Sequence, residues 1–289
     1  MTSREQWIAG ARPKTLPAAI APVILGTAFA GYNAQLTNFL LALIVGVSLQ
    51  VGVNYANDYS DGIKGTDNDR IGPMRLVGSG AASPESVKRA AYLSFLLAAG
   101  AGLILSARTN WLLILIGALA IIAAWTYTGG RKPYGYFALG EVAVFIFFGL
   151  VATIGTYYVQ VNSISLEVFL AAIAMGSLAS ALLVVNNLRD LAKDAAAGKI
   201  TLAVRLGDKQ SRNLYKALLL IPLLIAALLL PASPYFLLAA AATPLIRSSI
   251  KAVNSGASGG ALIELLAKTG RIQMIYGLAL SLATLIAAR

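Results

Sequence analysis

Long apolar stretches, separated by short polar segments, occupy most of this chain. A helix that crosses a bilayer needs about 20 predominantly apolar residues, and nine stretches approach or exceed that length. They lie near 16–31, 38–56, 86–106, 111–128, 138–158, 165–185, 213–230, 234–250 and 270–288. The pattern predicts an all-α polytopic membrane protein in which about nine transmembrane helices form a bundle. We expect residues 1–289 to form one membrane domain, with the first stretch retained rather than cleaved as a signal peptide.

The positive charges support this order of helices. If the N-terminus is cytoplasmic, every Lys and Arg except Arg108 and Arg289 lies in a segment on the cytoplasmic side, which is 21 of 23. Loops on that side of a membrane are enriched in Lys and Arg. The distribution predicts a cytoplasmic N-terminus in the cell (inner) membrane. It also directs the search for function to two long polar cytoplasmic loops, about 57–85 and 186–212.

The overall composition excludes several classes of protein. Hydrophobic residues make up 58% of the chain and charged residues only 12%, against about 25% charged in soluble proteins. The net charge is +11, but the chain has too few polar residues to form the basic surface stripe of a nucleic-acid-binding protein, so we expect no nucleic-acid partner. Because the chain contains neither Cys nor His, disulfides, the usual zinc and haem sites and Ser-His or Cys-His triads are excluded.

Half of the twelve acidic residues fall in two segments, each of which begins at the cytoplasmic end of a predicted helix. Residues three and four apart share a helix face, so each segment presents one amide and two carboxylates on one stripe. The stripes are Asn54, Asp58 and Asp61 in the first segment and Asn186, Asp190 and Asp194 in the second. Their members repeat at an offset of about 132 residues, which predicts two four-helix halves, plus a ninth helix, around a shared cavity.

Four carboxylates that face one cavity repel each other unless a cation lies between them. Oxygen ligands without His or Cys favour Mg²⁺, which commonly binds protein carboxylates together with phosphate oxygens. We therefore expect Asp58, Asp61, Asp190 and Asp194 to be catalytic and to bind Mg²⁺ with a diphosphate. Further candidates for binding the diphosphate are Asn54, Asn57, Lys64, Arg70, Arg75, Lys132, Asn186, Asn187 and Lys199. A last group of candidate site residues comprises Asp67, Arg12, Lys14 and Tyr127.

The two acidic motifs, NDYSD at 57–61 and DLAKD at 190–194, resemble those of the UbiA superfamily of intramembrane aromatic prenyltransferases. Within that superfamily the chain is most similar to the 1,4-dihydroxy-2-naphthoate polyprenyltransferases. The segments that carry this similarity are ARPKTLPAA at 11–19, DRIGPMRLV at 69–77, YTGG at 127–130 with KP at 132–133, and AGKITLAVRLG at 197–207.

The resemblance implies transfer of a polyprenyl chain from polyprenyl diphosphate to 1,4-dihydroxy-2-naphthoate, with loss of CO₂, to give demethylmenaquinone. Asp58 with Asp61 would hold one Mg²⁺, and Asp190 with Asp194 a second. Metal ions and cations such as Lys132 and Lys199 would then stabilise the leaving diphosphate. The acceptor's carboxylate has three candidate partners, Arg12, Lys14 and Arg75.

Three alternatives remain open at the level of sequence. The first is a prenyltransferase of the same superfamily with another acceptor, such as 4-hydroxybenzoate, homogentisate or a haem. The second is a CDP-alcohol phosphotransferase, but the Ala-Arg element typical of that class is missing after Asp61-Gly62. The third is a membrane transporter, although transporters place polar groups near the bilayer midplane and the acidic residues here gather at one rim.

Overall fold

The computed structural model describes residues 2–65 and 74–288, and these residues form ten main helices and three short 3₁₀ turns at Pro13–Thr15, Gly31–Asn33 and Tyr134–Tyr136. The sequence explains where four of the helices begin: Ser3, Ser83, Ser165 and Thr201 accept a hydrogen bond from the first turn of α1, α4, α7 and α8, as good N-cap residues do. The helices are α1 Arg4–Ala11, α2 Pro17–Phe29, α3 Leu36–Ile63, α4 Pro84–Arg108, α5 Leu113–Thr126, α6 Gly140–Val161, α7 Leu166–Ala196, α8 Leu202–Leu229, α9 Pro234–Asn254 and α10 Gly260–Ala287. Helix α8 is interrupted by a kink at Gly207, whose backbone is not helical (φ +77°).

Nine of these helices correspond to the nine predicted spans. Seven of them, α3, α4 and α6–α10, are long and apolar enough to cross a membrane. The other two, α2 and α5, have 13 and 14 residues and stand where the first and fourth spans were predicted. The remaining helix, α1, is short and polar and packs against the end of α3, where the Tyr55 hydroxyl donates to the Trp7 carbonyl oxygen at 2.9 Å. The structure confirms an all-α, multi-pass membrane fold.

The helices extend beyond the boundaries expected from hydropathy. Helix α3 continues to Ile63 and α7 continues to Ala196, so both acidic motifs lie in the last turns of helices and not in loops that begin at 57 and 186. The polar residues there keep helical backbone until a glycine stops each helix. Gly65 and Gly198 have φ of +71° and +69°, a conformation that glycine adopts without steric cost.

Helix α7 is the centre of the bundle. In its most apolar stretch 78% of the residues are buried, the highest fraction among the seven long helices. The main hydrophobic core joins α7 to α8, α9 and α10, and Ala21 and Leu25 of α2 belong to it. A second core joins the ends of α3 and α4, including Tyr55 and Phe95. Because α2 also packs against α3 and α6, it connects the two groups of helices around a central space.

Candidate active site

A cavity of about 630 Å³ lies between the two groups of helices. One end is polar and holds residues of both acidic motifs, and we call this the polar end. The rest is apolar and runs along α2, α3, α5 and α6 as far as Asn110 and Tyr158 at the opposite end of the bundle. The polar residues that line the polar end are Arg12, Thr15, Gln50, Asn54, Asn57, Asp61, Arg75, Tyr127, Thr128, Tyr134, Asn186, Asn187, Asp190, Lys193, Asp194 and Lys199.

The first motif does not present the stripe that spacing predicted. Asn54, Asn57 and Asp61 line the cavity, whereas Asp58 does not and is fully buried. Successive residues of an α-helix are rotated by about 100° around its axis, so the Asp58 side chain points in a different direction from that of its neighbour Asn57. The stripe that faces the cavity therefore consists of Asn54, Asn57 and Asp61. The prediction that Asp58 lies beside Asp61 in the cavity is wrong.

The Asp58 carboxylate instead binds the segment that precedes α4. Its Oδ2 accepts a hydrogen bond from the Leu76 amide at 2.8 Å, and its Oδ1 accepts one from the Val77 amide at 3.0 Å. Arg75, the residue before this pair, lines the cavity. Asp58 thus fixes the backbone from which Arg75 extends towards the site.

Asp61 is the point at which cations from two other segments meet. Its Oδ2 lies 3.8 Å from the Arg75 guanidinium and 3.7 Å from Lys199 Nζ. Its Oδ1 accepts a hydrogen bond from the Tyr136 hydroxyl at 3.1 Å. Only 3% of the Asp61 side chain is exposed, so these partners offset its charge in place of water.

Lys199 connects the two acidic motifs, because its Nζ also lies 3.7 Å from Asp194 Oδ1. Local backbone explains this placement. After α7 ends, the Lys199 amide donates to the Asp194 carbonyl oxygen at 2.8 Å, and Ile200 forms an isolated parallel bridge with Phe137. The bridge brings Lys199 beside Tyr136, with Nζ 5.4 Å from the ring centroid.

The second motif presents both of its carboxylates to the cavity. Asp190 forms a two-pronged ion pair with Arg189, with N–O distances of 2.8 and 2.7 Å, and Arg189 also donates to Asn186 at 3.0 Å. Lys193 lies between the two acids in sequence. Its Nζ is buried and has no hydrogen-bond partner among the described residues, which makes it a further cation available to an anionic ligand.

Three of the four predicted amides contact a neighbouring segment. Asn54 donates to the Ala11 carbonyl oxygen at 2.9 Å and to Thr15 at 3.1 Å, and Asn57 accepts from the Thr128 hydroxyl at 2.7 Å. Asn187 donates to Glu141 at 2.9 Å. These bonds hold the start of the chain, the segment after α5 and the start of α6 against the acidic helices.

The other predicted residues divide by location. Arg12 and Tyr127 line the cavity, whereas Lys14 and Lys132 are exposed and do not. Lys64 lies at the rim, where it donates to the Thr128 carbonyl oxygen at 2.7 Å and stands over the Tyr136 ring. Burial lowers the pKa of Lys64, an effect that Lys199 reinforces and Asp61 opposes. The predicted residues Asp67 and Arg70 lie outside the described part of the chain.

Sequence reasoning missed Tyr136 and Glu141 as site residues. The segment that carries the aromatic residues, YGY at 134–136, follows α5 and has no motif spacing of its own. The only feature of the sequence that could have indicated this segment is that several tyrosines lie together next to the cytoplasmic end of a predicted transmembrane helix. Burial raises the pKa of Tyr134 to about 12, so its hydroxyl remains a proton donor near neutral pH.

The donor set suits a hard cation, since carboxylate and amide oxygens from both motifs line the polar end and the sequence has no His or Cys. Among the described residues, no three acidic side chains are close enough to hold one ion together. A divalent ion here would therefore take part of its coordination from a ligand, as Mg²⁺ commonly does with phosphate oxygens.

Comparisons with known proteins point to one family. Residues 19–254 match the UbiA prenyltransferase family. A protein of Mycobacterium tuberculosis named 1,4-dihydroxy-2-naphthoate octaprenyltransferase is 50% identical over 283 residues, which cover 97% of each chain. The Escherichia coli protein of the same name is 42% identical over 236 residues, 78% of this chain and 77% of that one.

Solved structures share the fold at lower identity. The apo structure of a UbiA homolog from Aeropyrum pernix superimposes with a TM-score of 0.71 at 17% identity, covering 96% of this chain and 98% of that chain. A UbiA homolog from Archaeoglobus fulgidus, bound to DMAPP and Mg²⁺, superimposes with a TM-score of 0.64 at 15% identity, over 95% and 98% of the two chains.

Proposed function

Because this chain belongs to the UbiA prenyltransferase family, we propose that it transfers a polyprenyl chain from polyprenyl diphosphate to 1,4-dihydroxy-2-naphthoate. The acceptor loses its carboxylate as CO₂, and the product is demethylmenaquinone. One observation carries the proposal: a single cavity joins a polar end, lined by three Asp and four Lys or Arg residues, to a long apolar interior. A polyprenyl diphosphate has the same division into a charged head and an apolar tail.

The polar end suits the diphosphate. Asp61 from α3 and the pair Asp190 and Asp194 from α7 are the residues that would hold two Mg²⁺ ions, one on each side. Mg²⁺ bound there with the diphosphate supplies positive charge that stabilises the leaving group. Lys199 and Lys193 add protein charge at the same place, and both are largely buried, where fixed charge stabilises a leaving anion more than it does in water.

The apolar part of the cavity suits the prenyl tail. Its walls are formed by small and aliphatic residues of α2 and α3 on one side and by the aromatic side chains of Phe147 and Phe148 on the other. Transfer of the tail from water to this surface is favourable in proportion to the apolar area buried. Holding the tail here also fixes the allylic carbon beside the acceptor, and such positioning lowers the barrier of a two-substrate reaction.

We further propose that the polar end faces the cytoplasm in the inner membrane. The predicted cytoplasmic segments carry nearly all of the Lys and Arg residues, as expected from the positive-inside rule. The diphosphate and the acceptor would then enter from the cytoplasmic side, and the tail would lie within the bilayer region of the bundle.

A reconstitution assay tests this function. Purified protein in sealed lipid vesicles is given Mg²⁺, a radiolabelled polyprenyl diphosphate and each of 1,4-dihydroxy-2-naphthoate, 4-hydroxybenzoate and homogentisate. We expect Mg²⁺-dependent release of diphosphate and a prenylated, decarboxylated product only with the naphthoate, identified by its mass. A variant with both Asp190→Asn and Asp194→Asn serves as the inactive control. A product with another acceptor alone would reassign the substrate, and movement of substrate without diphosphate release would indicate a transporter.

A further inference from the structure

A buried carboxylate on α6 lies beside the cavity without lining it. Glu141 is 5% exposed, and its Oε1 accepts a hydrogen bond from Asn187 Nδ2 at 2.9 Å. Its Oε2 is buried and has no hydrogen-bond partner in residues 2–65 and 74–288. A carboxyl group in such a place is costly, and the mechanism proposed above does not use it.

Glu141 fixes the orientation of the Asn187 amide. An amide carries a donor on one side and an acceptor on the other, and a carboxylate only accepts. Because the NH₂ group is held by Glu141, the carbonyl oxygen Oδ1 is turned the other way. Asn187 lines the cavity, and Oδ1 receives no hydrogen bond within the described part of the chain. The pair therefore presents one hydrogen-bond acceptor to the cavity.

The surroundings of this acceptor suit an aromatic ring. Tyr127 lines the cavity and packs on the start of α6, where a Cβ added to Gly140 would lie 3.1 Å from Tyr127 Cε2. The Tyr134 ring meets it edge to face with centroids 5.5 Å apart, and Tyr134 lines the same wall. Aromatic pairs of this kind favour a further ring in stacked or edge contact. Asp190, one turn from Asn187 on α7, places the acidic motif next to this wall.

On the basis of the function proposed above, we propose that Glu141 is a positioning residue for the aromatic acceptor: it holds Asn187 so that Oδ1 accepts a hydrogen bond from an acceptor hydroxyl. Glu141 acts through Asn187 and does not touch the substrate. The Tyr127 and Tyr134 rings bound the space that the acceptor ring occupies. The diphosphate head binds in the same cavity, at Asp61, Asp190 and Asp194.

The test is a double-variant cycle with Glu141→Leu, Asn187→Leu and the two combined, assayed with 1,4-dihydroxy-2-naphthoate and a polyprenyl diphosphate. Each single variant is expected to raise KM for the naphthoate about tenfold, the usual effect of one lost hydrogen bond, while KM for the prenyl diphosphate stays within about twofold. Because Glu141 acts through Asn187, the combined variant should also show about a tenfold rise and not about a hundredfold one.

Two further variants separate positioning from general stability. Glu141→Gln keeps an oxygen that can accept from Asn187, so we expect KM for the naphthoate to return to within about threefold of the wild-type value. Glu167→Leu removes a glutamate from the first turn of α7, away from the cavity, and is expected to change neither KM. Thermal unfolding in detergent identifies any variant that does not fold.

An acceptor analogue gives a readout that does not depend on the Glu141 variants. A naphthoate that lacks one ring hydroxyl should have an inhibition constant for the wild-type protein that is larger than the KM of the dihydroxy compound, because a site built for a hydroxyl rejects ligands without it. Asn187→Leu should remove most of this difference.

Four outcomes would overturn the inference. They are an unchanged naphthoate KM in Glu141→Leu, equal increases in both KM values, independent effects in the combined variant, and a preference for the hydroxyl that survives Asn187→Leu. A wild-type protein that does not prenylate the naphthoate at all would instead contradict the proposed function.

Discussion

Asp58 and Asp61 are three residues apart on α3, but they have different surroundings. Asp61 lines the cavity and contacts Arg75, Lys199 and Tyr136. Asp58 is outside the cavity and accepts two backbone hydrogen bonds. Two aspartates of one motif thus face different groups: Asp61 faces the cavity in which we propose that Mg²⁺ and the diphosphate bind, and Asp58 faces backbone amides. This difference predicts distinct effects when each carboxylate is replaced.

Asp61→Asn is expected to lower kcat at least about 100-fold and to raise the Mg²⁺ concentration needed for half-maximal activity, because it removes a charged ligand. Asp58→Asn is expected to leave that Mg²⁺ concentration near the wild-type value. It destabilises the segment at Leu76 and Val77 by about 1–3 kcal/mol, since the new NH₂ group faces a backbone donor. Activity titrated with Mg²⁺ measures both effects. An equal shift of the Mg²⁺ titration in the two variants would show that Asp58 is also a ligand.

Lys199→Met tests the cation that joins the two motifs. We expect KM for the prenyl diphosphate to rise about tenfold, because one charge-assisted contact to a phosphate is lost, while KM for the naphthoate changes little. Lys209→Met removes an exposed lysine of α8 that does not line the cavity and is the matched control. A rise of similar size in both variants would point to a general effect of surface charge.

At the scale of elements, the site depends on close approach between α6 and α7. Residues 145–151 of α6 form a π-helical segment, and at its centre Gly149 meets Gly176 of α7. A Cβ added at Gly149 would lie 2.3 Å from Gly176 Cα. Small residues let membrane helices pack at such distances. This contact places Glu141, at the start of α6, opposite Asn187.

Gly149→Ala is therefore expected to destabilise the protein by about 1–3 kcal/mol, the usual range for overpacking a filled contact. The observable is a lower midpoint of thermal unfolding in detergent, together with reduced activity. Gly155→Ala is the matched control for the unfolding midpoint in the same helix, because a Cβ there meets no atom within 4 Å; since Gly155 lines the cavity, it is not a control for activity. Equal unfolding midpoints for the two variants would show that the α6–α7 contact relaxes without cost.

At the scale of the whole molecule, the ends of the bundle differ in charge, and the absence of Cys from the sequence allows the orientation to be tested with single cysteines. Ser163 and Ser258 are both exposed, in the connections that precede α7 and α10 respectively. In intact cells we expect a membrane-impermeant maleimide to label Ser163→Cys and to leave Ser258→Cys unlabelled until the membrane is permeabilised. The reverse pattern would place the polar end outside the cell.

Much of the architecture was predictable because bilayer thickness and charge act directly on the sequence. The apolar stretches predicted the positions of nine helices; seven of these are long enough to cross a membrane, and α2 and α5 are shorter. Hydropathy did not predict the ends of α3 and α7, since a helix that leaves the membrane continues as long as its backbone bonds are made. The predictions for Lys14 and Lys132 stay untested as to function, although both side chains are exposed and away from the cavity.

By itself, the sequence determined that this protein is a helical membrane protein with paired acidic motifs. Long apolar stretches in a bilayer must form helices to satisfy their backbone hydrogen bonds, and acidic residues are so costly there that the few present stand out. The tertiary structure decided which face of α3 meets the cavity, and hence that Asp61 and not Asp58 lines it. It also brought together residues far apart in the chain, such as Lys199 with Asp61 and Glu141 with Asn187. The spacing of residues along one helix does not predict these contacts, because they depend on how separate helices are rotated and packed against each other.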